Sequence, residues 1–298
     1  MSPADSAPTA PDGAMPAAFI GHGSPMNALE ENHYTAAWRA FGASVPRPRA
    51  ILVISAHWYI NATAVTAMDR PRTIHDFYGF PPELFAVEYP APGLPELAEQ
   101  VADVVKPVWV GVDRDSWGLD HGTWSVLCHA FPDADIPVVQ LSINAAKPFD
   151  YHLDLGSRLA PLRGSGVLIV GSGNVVHNLR AVQPALAARG FDWAQRFDEA
   201  VQSTMLDDPG HIGALHGHGD FRLAVPTPDH FIPLLYLAGL ADAAGRPTDV
   251  LVDGYAYGSL SMTAYTLGSS CPDARGSGGP GAAPLPDPSE VPPDDTNL

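Results

Sequence analysis

The sequence predicts a single α/β domain. It has a central, mostly parallel sheet flanked by helices, with a metal site at the C-terminal ends of the strands. Three observations predict this. Short apolar runs at 17–20, 50–56, 108–112, 137–142 and 166–171 have the length of buried strands. Stretches with helical spacing lie between them, and such alternation makes a parallel sheet covered on both faces. Four histidines, His22, His57, His177 and His230, sit where a run ends or a helix begins, in turns rich in Gly, Ser or Pro.

Each element follows from its own pattern. The run 17–20 leads into Gly21-His22-Gly23-Ser24-Pro25. Segment 30–42 reads as a helix, with Leu29, Tyr34, Trp38 and Phe41 near one face. The run 50–56 ends at His57-Trp58. Pro95 opens a helix to about Val105, because the first turn needs no N–H there. Strand 108–112 precedes a helix over 122–131, capped by Asp120 or Thr123. Strand 137–142, helix 148–162 and strand 166–171 follow, then helices over 192–206 and 230–243, the last with Asp229 as N-cap. Segment 250–267 alternates and is expected to form an edge strand or hairpin.

Composition narrows the functional classes. The chain has 298 residues, 46 % of them hydrophobic, enough for a sizeable core. Its net charge of −17 repels phosphate backbones and anionic lipid, so neither nucleic acid nor membrane is an expected partner. Two cysteines, Cys128 and Cys271, exclude a disulfide framework and a cysteine zinc site, and they fit a reducing cytoplasm. No signal peptide is visible, and no apolar run approaches the ~20 residues that cross a bilayer. Residues 1–16 and 269–298 are poor in large apolar side chains and are expected to be disordered, which leaves 17–268 as the folded domain.

Most of the 12 histidines have ordinary settings. His216-Gly217-His218-Gly219 reads as a mobile loop, more a lid than a ligand pair. His22 lies between glycines, which let backbone approach a ligand closely. His177 follows Gly171-Ser172-Gly173-Asn174, which lacks the Lys-Ser/Thr of a phosphate-binding loop. Neutral imidazole is the commonest protein metal ligand, and ligand sites in open α/β sheets lie beyond the carboxyl ends of strands. Two further segments carry candidates. His121, in Leu119-Asp120-His121-Gly122, is either part of a helix start or an acid/base or substrate-binding histidine. His75-Asp76-Phe77-Tyr78-Gly79-Phe80 sets a polar pair among aromatics, which suits a flat ring or a packed loop.

These segments, with Pro25-Met26-Asn27-Ala28, Pro90-Ala91-Pro92-Gly93 and Pro226-Thr227-Pro228-Asp229-His230, resemble the 4,5-DOPA extradiol dioxygenase family of the class III ring-cleavage enzymes. The likeness spans nearly all of the expected folded part. It implies opening of a catechol such as DOPA by O₂, with both oxygen atoms entering a muconic semialdehyde-type product. It implies one divalent metal, Zn²⁺ or Fe²⁺, the chemistry asking for Fe²⁺. By motif position, His22, His57 and His230 would be ligands. His177 would complete the coordination or act as acid/base, with His121 as a second pocket histidine. His75, Asp76 and Asn27 would contact substrate. The expected partners are a small aromatic diol and O₂, in a monomer or small homo-oligomer, and truncation near Ser269 should leave activity intact. One departure stands out. Non-haem iron sites commonly use two histidines and a carboxylate, whereas the last motif offers His230 with Asp229 beside it. The alternatives are a zinc hydrolase on the same histidines, disfavoured by the lack of a nearby His-Glu-x-x-His base, and a non-catalytic metal-binding protein.

Overall fold

The computed structural model describes residues 13–271, 274–275, 283–287 and 289–290. Its sheet is built from β1 (Ala17–Gly21), β2 (Ala50–Ile60), β3 (Ala64–Thr66), β4 (Gly111–Asp113), β5 (Val138–Asn144), β6 (Val167–Gly173), β7 (Asp249–Val252) and β10 (Ala264–Leu267). The strand order is β4-β3-β5-β2-β6-β1-β10-β7. The central run β5-β2-β6-β1 is parallel, and β10 and β7 add antiparallel at one edge. The strands β8 (Tyr255–Ala256) and β9 (Leu260–Ser261) form a separate small hairpin. Segment 250–267 therefore holds both the expected edge strand and a hairpin.

Alternation along the strands makes two cores. In β1, Ala17 and Phe19 face one apolar cluster while Ala18 and Ile20 face the other. In β2, Leu52 and Ile54 face the first cluster and Ile51 and Val53 the second. The first is covered by α3 (Pro95–Val104), α5 (Phe149–Gly164), α6 (Asp192–Asp207) and α8 (Ile232–Ala243). The second is covered by α1 (His33–Ser44), the short α2 (Pro82–Phe85) and α4 (His121–Ala130). Another short helix, α7 (Phe221–Ala224), precedes the last histidine motif. No helix among the described residues is long and apolar enough to cross a membrane.

Helix starts follow side-chain chemistry in two cases. Asn32 and Thr35 form a capping box at α1. Asp120 accepts from Thr123 N–H at α4, as expected. Three local expectations fail. The strand begun at 50 does not stop at 56 but runs to Ile60, with a break in register between Ile54 and Tyr59. The apolar run 108–112 is a strand only from Gly111, where pairing with β3 begins, although Val108 and Val110 pack into the first core. Asp229 does not cap the last helix: α8 starts at Ile232, and the Asp229 carboxylate bonds His230 instead.

Described residues on either side of the stretch 17–268 also make contacts. Met15 exchanges hydrogen bonds with Arg163, its N–H donating to Arg163 O and its carbonyl accepting from Arg163 Nε. Residues 1–12 and most of 269–298 lie outside the described residues, while Ala283–Asp287 rests on the domain.

Candidate metal centre

The parallel strands bring the site residues to one end of the sheet. Gly21, which ends β1, pairs with Gly173, which ends β6, and His22 N–H donates to Gly173 O. Ser55 of β2 pairs with Ser172 of β6. Beyond Ser55 the register break in β2 contains His57. Gly173 has no room for a side chain: a Cβ there would lie 2.2 Å from His230 O. That close approach, with Asn174 N–H donating to His230 O, holds the His230 motif against the strand end.

His22, His57 and His230 each offer an imidazole nitrogen within 4.8 Å of the other two. In each ring the other nitrogen faces a polar side chain. His22 Nδ1 lies 2.9 Å from Ser172 Oγ, whose own proton goes to Gly122 O at 2.5 Å. Ser172 must therefore accept from His22 Nδ1–H, which leaves Nε2 as a bare lone pair. His57 Nδ1 faces Asp76 Oδ2 at 3.4 Å, and His230 Nδ1 is bonded to Asp229 Oδ2. These neighbours set the tautomers in the manner of the outer partners of metal-bound histidine. His22 Nε2 and His57 Nε2 then point at one another at 3.2 Å, and the buried His230 Nε2 has no protein partner. Converging lone pairs of this kind fit a cation, and an all-nitrogen set suits Zn²⁺ or Fe²⁺.

Burial, reinforced by the neighbouring imidazoles, pushes the His22, His57 and His177 pKa values well below the usual histidine range. The rings are thus neutral, the form a metal ligand requires. Burial alone would raise Asp76 and Asp229, but the adjoining histidines outweigh it and hold both carboxyls below the ordinary range. Asp120 behaves differently. Burial, and then the charge of Asp76, pushes it up to about 6, although it accepts from Ser55 Oγ and Gln140 Nε2.

Two more histidines flank the cluster. His121 packs on His57 at 3.8 Å between ring centroids, with Nδ1 3.1 Å from Asp76 Oδ1. His177 stacks on His230 at 3.5 Å with rings 4° from parallel. His177 is outside the three-nitrogen group, and its backbone is fixed by N–H donation to Ala224 O and a bridge to Leu260. Of the residues expected to contact substrate, Asp76 lies between His57 and His121. His75 turns away, its Nε2 2.9 Å from Val87 O and its ring among Phe77, Phe85 and Trp124. Asn27 is buried one layer out: its amide donates to His22 O and accepts from Asn32 Nδ2. His216 packs on Phe149 and Phe221, in a 3-10 helix (Pro209–Gly217) rather than an irregular loop. Sequence reasoning missed Ser172, Ser55 and Gln140. A serine at a strand end carries no local signal, and its partners, His22 and Gly122 for Ser172 and Asp120 for Ser55, lie far away in sequence.

A three-layer α/β domain with three histidines converging at its strand ends has the frame of a metal-dependent enzyme. The profile of the family described as "Catalytic LigB subunit of aromatic ring-opening dioxygenase" matches residues 16–268. The "4,5-DOPA dioxygenase extradiol" of Escherichia coli (strain K12) is 47 % identical over 258 residues, covering 85 % of this chain and 95 % of that protein. The Beta vulgaris protein of the same name is 35 % identical over 263 residues, covering 85 % and 96 %. The crystal structure of an uncharacterized Escherichia coli K12 protein superposes with a TM-score of 0.74 at 43 % identity, covering 85 % of this chain and 99 % of that one. The chain belongs to the LigB family of aromatic ring-opening dioxygenases. It is a metal-dependent extradiol enzyme that acts on an aromatic substrate with O₂.

Proposed function

We propose that the enzyme holds Fe²⁺ on His22, His57 and His230 and opens the ring of a catechol such as DOPA. Both atoms of one O₂ enter a muconic semialdehyde-type product, so catechol plus O₂ accounts for every atom. The observation that carries the ligand assignment is the convergence of three imidazole nitrogens whose opposite ring nitrogens face Ser172, Asp76 and Asp229. Zinc fits the same donors but has no redox chemistry, and ring opening by O₂ requires it. When bound, Fe²⁺ supplies the electron path between catecholate and O₂.

The protein's own part is proton handling and enclosure. His177 is proposed as the acid/base rather than a fourth ligand. Its stacking on His230 puts it beside the cluster, and its neutral ring can take a catechol proton and return it. His121 assists from the opposite side, against His57 and Asp76. Asp76 orients these two histidines as well as bordering the substrate space. The aromatic groups Phe77 and Trp124 pack around His121 and His75 and give that side an apolar wall. DOPA is the proposed substrate because two relatives bear it in their names. The two free thiols suit a cytoplasmic location, and a monomer or small homo-oligomer is proposed.

The test is product analysis. Protein loaded anaerobically with Fe²⁺ is given L-DOPA, catechol and caffeate under ¹⁸O₂. A yellow product carrying two labelled oxygens, formed fastest from L-DOPA, is the expected result. A product with one label or none would contradict the reaction type, and a faster rate with another catechol would reassign the substrate.

A further inference from the structure

The stretch that matches the family ends at residue 268, yet a short piece of the following tail is hydrogen-bonded to residues near the site. Three contacts fix it, each to a different segment. Ser24 Oγ–H donates to Pro284 O at 2.7 Å, two residues after His22. Asp287 N–H donates to Gly79 O at 2.7 Å, three residues after Asp76. Tyr257 OH donates to Ala283 O at 2.9 Å, from the hairpin whose Leu260 bridges to His177. Ala283 is only 4 % exposed and belongs to the apolar cluster that holds Met26, Phe77, Phe80 and Met262. Gly79 is what permits the approach. It has φ of +71°, and a Cβ there would lie 2.6 Å from Asp287 O. The tail piece is thus tied to the segment that carries the proposed ligand His22, to the loop that carries Asp76, and to the hairpin that bridges to His177. Leu285 and Pro286, both half-buried, complete an apolar strip with Ala283.

We propose that Ala283–Asp287 forms one wall of the entrance to the metal centre and limits the size of the ring substituent that the enzyme accepts. The proposal rests on the ring-cleavage reading for its substrate, but not for the existence of the wall. It reverses the expectation that truncation near Ser269 is silent. A tail that is absent from the family profile is a means by which this chain can differ in selectivity from its relatives.

The test uses the full chain, with Ala283→Asp to force a carboxylate into an apolar place and Tyr257→Phe to remove one tether. Hydrogen exchange of peptides over 283–290 and 75–81 reads the contact directly. Diethylpyrocarbonate modification of the site histidines, followed by mass spectrometry, reads access without any turnover. Turnover of catechol and of a bulky caffeate ester reads selectivity. Slow exchange over 283–290 in the wild type is expected, lost in A283D and reduced in Y257F. Histidine modification should then accelerate. The ratio of kcat/KM for the bulky ester to that for catechol should rise about tenfold, the scale of small changes in pocket size, with catechol itself unchanged. Unprotected exchange over 283–290 in the wild type would overturn the proposal. So would an unchanged modification rate and selectivity ratio once protection is lost. If the wild type consumes no catechol at all, the ring-cleavage reading fails, while exchange and modification still decide whether the wall exists.

Discussion

Ser172→Ala removes a single hydroxyl that never touches the proposed metal, and its effect can be worked out from the contacts. Ser172 Oγ accepts from His22 Nδ1–H at 2.9 Å and donates to Gly122 O at 2.5 Å, and the residue is fully buried. Without it, the His22 N–H and the Gly122 carbonyl both lose a partner in a dry place. Leaving one buried polar group unsatisfied costs about 1–3 kcal/mol. His22 can relieve part of this by moving its proton to Nε2, but that tautomer cannot bind metal through Nε2. Loss of an outer partner of this kind typically weakens metal affinity about 10- to 100-fold, or about 1.4–2.7 kcal/mol. The assay is competition for Fe²⁺ or Zn²⁺ against a chromophoric chelator, with circular dichroism to confirm folding. Affinity within a factor of two of wild type, in a folded variant, would refute the tautomer argument and the role of His22 with it.

Other outcomes follow from the same geometry. His177→Ala should keep its metal and lose about 10²- to 10⁴-fold in kcat; loss of metal on elemental analysis would make His177 a ligand instead. His57→Ala should purify with little metal and stay inactive on Fe²⁺ reloading, and stoichiometric metal would remove it from the centre. In the metal-free protein, His22, His57 and His177 have folded pKa values below their unfolded ones. Their stabilising effect is full above the unfolded value of about 6.5 and is lost as pH falls below it, by up to about 1.4 kcal/mol per pH unit for each. Urea melts at pH 7.5 and 5.5 check this, and equal midpoints would contradict it.

Much of the architecture was legible in the sequence because burial dictates periodicity. The strands starting near 17, 50, 137 and 166 are covered on both faces, so they read as unbroken apolar runs. The long helices α1, α3, α5 and α6 each bury one side and show it as spaced apolar residues. The strands β3 and β4 were not legible. Each has three residues and draws its definition from its neighbours in the sheet. The proposed ligand histidines stood out because each interrupts an apolar run or a Pro/Gly turn. What surrounds them did not. The Asp229 side chain has the local signature of an N-cap, and only the fold shows that the adjacent imidazole takes it. The Ser55–Asp120–Gln140 network joins β2, the start of α4 and β5, positions 65 and 20 residues apart. No local pattern encodes contacts of that range. The tail is the counterpart: its composition reads as disorder, yet a few backbone carbonyls and one buried methyl are enough to seat Ala283–Asp287.

His22, His57 and His230 are proposed to hold a redox-active metal for ring opening by O₂. Oxygen uptake by metal-stripped protein, reloaded anaerobically with either Fe²⁺ or Zn²⁺ and given a panel of catechols, tests this proposal most directly. Catechol-dependent uptake, one O₂ per ring opened, is expected with Fe²⁺ and none with Zn²⁺. Stoichiometric Fe²⁺ with no uptake on any catechol, or equal turnover with Zn²⁺, would contradict it.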